Sequence, residues 1–242
     1  MGEIIFNSPH LSDRSMTIRK SELYFEEIGR SFDAWASPYD VQQRIRLINA
    51  MMPRNSLSLS SLEVGCGRGS ISEQIVPKVA HLMVVDISGR LARDVGTRLN
   101  VEWRKEDACQ LTFQDESFDL VISSECIEHT IDPQQALAEM ARVVKKNGSL
   151  ILTSPNKIWY PVLWVSTKIR LRRFSGNEIW LFPFEAVRLL KKQGFRNIIV
   201  SGCHLFPWQL PFAKSVLPFF DRFGRQLYPF MINYGISGRK DG

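Results

Sequence analysis

From Ser61 onward the chain alternates short runs of strand type with runs of helical period, and few architectures can bury the apolar faces of such a chain. SLEV precedes ISEQIVPKVA, HLMVVDIS precedes GRLARDVGTRL, and NVEWRKEDA leads into FDLVISS, after which come PQQALAEMARVVKKN and SLILTSP. Strands separated by helices form right-handed βαβ units, which stack into a parallel sheet with helices on both faces. Boundary residues support the reading. Ser70 with Glu73 has the spacing of a capping box, Asp132-Pro133 that of an N-cap with proline in the first turn, and Asn147-Gly148 reads as the end of that helix. LFPFEAVRLLKKQGF reads as a further helix closed by Gly194, and NIIVSGC and FMINYGISGRK as two final strands. The expected fold is α/β: a doubly wound, seven-stranded, mostly parallel sheet whose last strand is antiparallel.

With 242 residues there is room for one good core. One domain is expected over 1–242: a helical extension (1–60, with two helices), a ligand-binding core (61–156), a cap insertion (157–182) and the remainder of the sheet (183–242) with an aromatic, proline-rich insertion at 204–230. The longest stretch without a charged side chain, Asn197 to Ala213, is 17 residues and holds two prolines, too short and broken for a bilayer span. MGEIIFNSPH has no leader pattern, so the expected location is cytoplasmic. Cys66, Cys109, Cys126 and Cys203 are scattered without a C-x-x-C pair or nearby histidines, which points away from a metal site or a disulfide framework.

SLEVGCGRGS places Gly65, Gly67 and Gly69 at the end of the first strand, where a doubly wound sheet binds its ligand. The spacing is G-x-G-x-G, one residue short of the dinucleotide fingerprint, and the lysine of a phosphate-binding loop is missing. Acidic residues at three successive strand ends are more specific: Glu63, Asp86 and Asp107. Asp86 is suited to accept from both ribose hydroxyls, and Asp107, beside Ala108, from an adenine amine. Glu63 would repel a pyrophosphate by about 3 kcal/mol at ~5 Å in an effective dielectric near 20. A cationic adenosyl compound without phosphate removes the conflict. S-adenosylmethionine has that form, and its single carboxylate is expected to meet backbone N–H groups at the following helix start.

The block LEVGCGRG, VVDIS, EDA, FDLVISSECIEH and ARVVKKNGSLILTSPN resembles the class I S-adenosylmethionine-dependent methyltransferases, and most closely the small-molecule branch of ubiquinone and menaquinone synthesis. The resemblance spans roughly Phe32 to Val200 and implies a Rossmann-like fold. It also implies cofactor contacts at Glu63, Gly65, Cys66, Gly67, Asp86, Asp107, Ala108, Ser123 and Ser124, with Ile87 flanking the adenine and Tyr39 closing over the cofactor.

Methyl transfer needs mainly alignment and exclusion of water, because sulfonium is already a good leaving group. The fourth strand runs into SSECIEHTIDP, making Glu128 and His129 the candidate catalytic pair, with His129 placed to accept a hydroxyl proton. The Asn/Asp-Pro-Pro-aromatic motif of base amino methylases is absent, as is the Pro-Cys of pyrimidine C5 methylases, which speaks against Cys126 as a nucleophile and against base methylation.

Charge is unevenly spread. Residues 1–156 carry 17 basic and 21 acidic side chains, whereas 157–242 carry 14 basic and 4 acidic. The cap insertion KIWYPVLWVSTKIRLRRF sets Trp159, Tyr160, Leu163 and Trp164 before Lys168, Arg170, Arg172 and Arg173, and the later insertion is equally aromatic. Aromatic residues beside basic ones suit a lipophilic acceptor reached from the cytoplasmic face of an anionic membrane. The expected activity is O-methylation of a small, lipophilic or lipid-linked acceptor. An RNA groove with stacking aromatics, and a cofactor-binding protein without turnover, are the alternatives.

Overall fold

The computed structural model describes residues 22–27, 37–168 and 178–242. Its seven strands are β1 (Ser60–Val64), β2 (His81–Asp86), β3 (Glu102–Lys105), β4 (Phe118–Ser124), β5 (Val144–Pro155), β6 (Phe195–Cys203) and β7 (Asn233–Lys240), in one sheet of order β3-β2-β1-β4-β5-β7-β6. Strands β1 to β5 run parallel, and β7 is antiparallel to both of its neighbours, β5 and β6. The alternation of strand and helix patterns dictates this doubly wound arrangement, with the order reversing between β1 and β4.

Successive side chains of a strand point to opposite faces, and both faces are covered. Val85, Val121, Leu150 and Leu152 pack on one side against Ala136, Leu137 and Met140 of α5 (Pro133–Val143) and Leu190 of α7 (Pro183–Lys192). Val84, Leu120, Ile122 and Ile151 pack on the other against Ile48 of α2 (Pro38–Met51), Ile75 of α3 (Ser72–Ile75) and Val95 of α4 (Gly89–Leu99). Helix α2 lies so close to β7 that a β-carbon on Gly235 would stand 2.8 Å from Leu47 Cδ2. Helix α2 of the extension is thereby docked on the sheet, and helical residues 22–27 (α1) are held by Lys105 of β3, which donates to Glu22, and by Arg90 of α4, which donates to Glu26 O at 2.5 Å.

Two boundary expectations are corrected. No capping box opens α3: the helix starts at Ser72, after Ile71, and Glu73 instead pairs with Arg98. Pro77 has no N–H to continue the ladder, so α3 gives way to a 3-10 turn at Val76–Lys78. Asn147-Gly148 likewise does not end α5. Val143 and Val144 are both fully buried and draw the chain into β5 directly, while Asn147, at φ 61°, lies at a bulge between the Phe118 and Leu120 register positions. The Asp132 cap is as expected, its Oδ1 accepting from the N–H groups of Gln134 and Gln135 at 3.0 Å. Gly194 follows α7 at φ 80°.

The cap insertion contains a 3-10 turn at Lys157–Trp159 and α6 (Tyr160–Lys168); Arg170, Arg172, Arg173 and Phe174 lie outside the described residues. The 204–230 insertion supplies α8 (Ala213–Asp221) and α9 (Gly224–Leu227). The two are tied together. Asn156 Nδ2 donates to the carbonyls of Pro229 and Met231 at 3.0 and 3.1 Å, and Trp159 Nε1 donates to Phe230 O at 2.9 Å. Ile158, Tyr160, Val162, Trp164, Phe212, Phe219, Phe223 and Phe230 are left exposed on these segments. No helix among the described residues is long and apolar enough to cross a membrane.

Candidate active site

A cavity opens at the C-terminal ends of β1, β2 and β4, floored by the glycine turn and closed by Phe25 of α1 and Val41 and Arg44 of α2. Gly67 has φ 52° and nothing within 4 Å of where a β-carbon would stand, so the backbone is open to a ligand there. Gly65, at φ 77°, is required for a different reason: a β-carbon would collide with Cys126 Sγ.

Of the residues expected at the site, Glu63, Gly65, Cys66, Gly67, Asp86, Ile87, Asp107, Ala108, Ser124 and His129 line this one cavity. Three do not. Ser123 is buried and donates from Oγ to Val64 O at 2.9 Å, tying β4 to β1. Glu128 is buried beside Ser154, its carboxyl pushed well above the usual range by burial and by Glu125. Tyr39 packs against His204, with ring centroids 5.5 Å apart, because on α2 it is Val41 and Arg44, three residues apart, that face the cavity.

The acids differ in how they are held. Asp86 Oδ2 accepts from Gly67 N and Oδ1 from Ser88 N, both at 2.9 Å, so Asp86 pins the turn in addition to facing the cavity. Burial nevertheless leaves its pKa raised, those two N–H groups opposing the shift. Asp107 Oδ1 accepts from Cys109 N at 2.9 Å. Glu63 is buried with Oε2 unpartnered among the described residues, and burial lifts its carboxyl to about 8, Asp86 adding to the effect. Near neutrality that carboxyl therefore favours its protonated form.

The N–H groups of the glycine turn are largely engaged within the fold. The N–H groups of Gly65 and Cys66 donate to Val85 O at 2.8 and 3.1 Å, that of Gly67 to Asp86 and that of Gly69 to Cys66 O at 2.8 Å. Helix α3 has only four residues. Arg44 lines the cavity as a cation, with Nε buried and unpartnered among the described residues. Its Nη2 donates to Asp40 Oδ2 at 2.9 Å, and His204 Nε2 is 3.1 Å from Asp40 Oδ1. Burial alone would raise Asp40, but Arg44 and His204 outweigh it and hold the carboxyl below its usual range. For Arg44 burial is likewise outweighed, by Asp40 and Glu125, and the guanidinium keeps its charge.

Arg44 and Glu125 are two cavity residues to which sequence reasoning assigns no role. Arg44 sits in an ordinary amphipathic helix, QQRIRLI, with no motif around it. Glu125 was passed over for Glu128, although it immediately follows the last residue of β4. His129 faces the cavity from the 3-10 turn Ile127–His129, with the Phe25 ring 5.4 Å away. Burial pushes the Cys126 thiol far up, which disfavours its thiolate. No cluster of three metal-ligating side chains is present among the described residues.

The cavity presents the carboxyls of Glu63, Asp86 and Asp107 and the guanidinium of Arg44 beside the apolar Ile87, Leu91 and Ala108, a set that suits a ligand with an adenosine, a positive group and a carboxylate. Residues 62–152 match the family described as "Methyltransferase domain". A ubiquinone biosynthesis O-methyltransferase of Coxiella burnetii is 25% identical over 221 residues, 83% of this chain and 94% of that protein. Among solved structures, an S-adenosylmethionine-dependent methyltransferase from Thermotoga maritima superposes with a TM-score of 0.68 at 21% identity, covering 90% of this chain and 98% of that one. One from Mesorhizobium loti gives 0.60 at 14% identity over 84% and 100%. Residues 62–152 thus carry a methyltransferase domain, set on the fold of solved S-adenosylmethionine-dependent methyltransferases.

Proposed function

We propose that this chain, folded as one domain, methylates a hydroxyl oxygen on a small lipophilic or lipid-linked acceptor. The observation that carries the reading is a single cavity in which a buried carboxyl and a buried guanidinium each retain an unused atom, Glu63 Oε2 and Arg44 Nε. A ligand bearing both a positive group and a carboxylate satisfies the two together, whereas a nucleoside phosphate brings no positive group to Glu63. When bound, S-adenosylmethionine supplies an activated methyl carbon. Asp86 and Asp107 orient its adenosine, Arg44 holds its carboxylate against Asp40, and Phe25 and Val41 keep water out. His129 lines the same cavity.

The oxygen acceptor is supported by the Coxiella relative, whose name specifies an O-methyltransferase. The lipophilic character is supported by the exposed aromatics of α6 and α8, joined through Trp159 and Phe230. Lys168 reinforces this face, its Nζ 5.5 Å over the Trp164 ring. Such a face suits an anionic membrane surface.

Incubation with methyl-labelled cofactor, a total lipid extract and total RNA in parallel tests the proposal. Label in base-stable lipid ethers supports it. Label in RNA replaces it with nucleic-acid methylation, and cofactor binding without transfer to either extract would leave a binding protein.

A further inference from the structure

We propose that Glu125 receives the acceptor's proton, held in place for that step by Asn233. The inference rests on the hydroxyl-methylating reading above and assigns its base. Glu125 is the first residue after β4, the strand end at which His129 and Glu128 were expected to act, and it lines the same cavity as Glu63 and Arg44. Its Oε2 accepts from Asn233 Nδ2 at 2.9 Å, whereas Oε1 is buried and has no hydrogen-bond partner among the described residues. A carboxylate clamped by one oxygen and bare at the other is directed at something that donates.

The backbone adds an independent sign. Glu125 has φ 50°, a left-handed conformation that a non-glycine residue adopts only when its surroundings impose it, and such residues gather at functional sites. Its N–H donates to Thr153 O at 3.0 Å, and Asn233, 3% exposed, reaches it from β7, so β5 and β7 both hold it in that conformation. Glu128, by contrast, is buried away from the cavity beside Ser154.

The surroundings suit proton acceptance. Burial raises the Glu125 carboxyl above the ordinary carboxylate range and Asp40 adds to the shift, while Arg44, Asn233 and Thr153 oppose it. Cys126, Glu128 and His129 on the following turn, Cys203 at the end of β6 and Tyr234 of β7 are the other titratable groups around it. In the step, the acceptor O–H bond breaks and its proton passes to Glu125 Oε1. The oxygen's electron pair forms the bond to the methyl carbon as the carbon–sulfur bond breaks with its pair remaining on sulfur. The proton later leaves Glu125 for water. A carboxylate matches an acidic hydroxyl, a phenol or an enol, because an aliphatic alcohol holds its proton too tightly for such a base.

The test uses Glu125→Gln and Glu125→Asp with two probes, phenol and anisole, titrated calorimetrically into the complex with S-adenosylhomocysteine from about pH 5.5 to about pH 8.5. In the unaltered protein, phenol affinity should rise with pH by roughly tenfold as a neutral hydrogen bond becomes charge-assisted. Anisole, with no proton to donate, should show no such rise. Glu125→Gln should abolish the rise while leaving S-adenosylhomocysteine affinity within about twofold, and should lower turnover on the labelled acceptor by about 10²-fold or more. Glu125→Asp should retain the rise. Loss of S-adenosylhomocysteine affinity in Glu125→Gln would overturn the assignment by making Glu125 a cofactor ligand. An unchanged pH dependence and turnover would overturn it as well. Failure of any hydroxyl to accept label in the unaltered protein would instead sink the underlying O-methylation reading, so the two failures are distinct.

Discussion

Glu63 sits at the first strand end with its carboxyl lifted from the usual 4.5 to about 8 by burial. Below pH 4.5 both folded and unfolded states hold the proton. Between 4.5 and 8 the unfolded chain has lost it and the folded chain has not, so the stability of the cofactor-free protein falls with rising pH across that window and levels off above it. The cost at the upper end is at most about 4–5 kcal/mol. Glu63→Gln should therefore raise the melting temperature of the cofactor-free protein by several degrees at pH 8 and by much less at pH 5, measured by scanning calorimetry. The same variant should bind S-adenosylmethionine more weakly. Asp86→Ala should behave in the opposite way, since it strips the N–H groups of Gly67 and Ser88 of their acceptor, costing about 1–3 kcal/mol for each group left unsatisfied, and weakens cofactor binding together with stability. The residues that announced themselves in the sequence are those whose position follows from strand ends. Glu63, Asp86, Asp107 and Gly67 were legible because an acid or glycine directly after an apolar run leaves little freedom over where it points. Arg44 and Glu125 were not, because their role depends on how a helix from the extension and a strand from the far end of the chain meet at the cavity.

At the level of elements, strand existence followed from apolar periodicity, whereas ends followed only where a side chain supplied a local cap. Asp132 did so, and Asp132→Ala should lower stability by about 1 kcal/mol without altering cofactor affinity, as thermal melting and calorimetric titration can establish. Asn147-Gly148 misled because burial of Val143 and Val144 overrode the turn signal, and Ser70-Glu73 because Arg98 on α4 takes the glutamate. Neither cause is local in sequence. Asn156 joins the two aromatic insertions through the carbonyls of Tyr228, Pro229 and Met231. Asn156→Ala should speed amide exchange at 228–233 by an order of magnitude or more while leaving β1 and β4 protected, read by hydrogen-exchange mass spectrometry.

Across the whole molecule, acidic and basic halves are divided between the cofactor side and the aromatic insertions. The division gives a protein whose ligand cavity is built from carboxyls while its second half carries the excess positive charge that an anionic surface attracts. Co-sedimentation with phosphatidylglycerol vesicles should be retained at low salt and lost on charge reversal of Lys168, Arg222 and Arg225 together, whereas neutral phosphatidylcholine vesicles should not be bound under either condition. The most direct measurement concerns the cavity itself. S-adenosylmethionine and ATP should be titrated separately into the protein at pH 7 in two buffers of different ionisation enthalpy. The cationic compound should bind with release of close to one proton, which Glu63→Gln abolishes, and ATP should give no heat. Tight binding of ATP, or binding of S-adenosylmethionine with no proton released, would contradict the account of a buried carboxyl that yields its proton to a positive ligand.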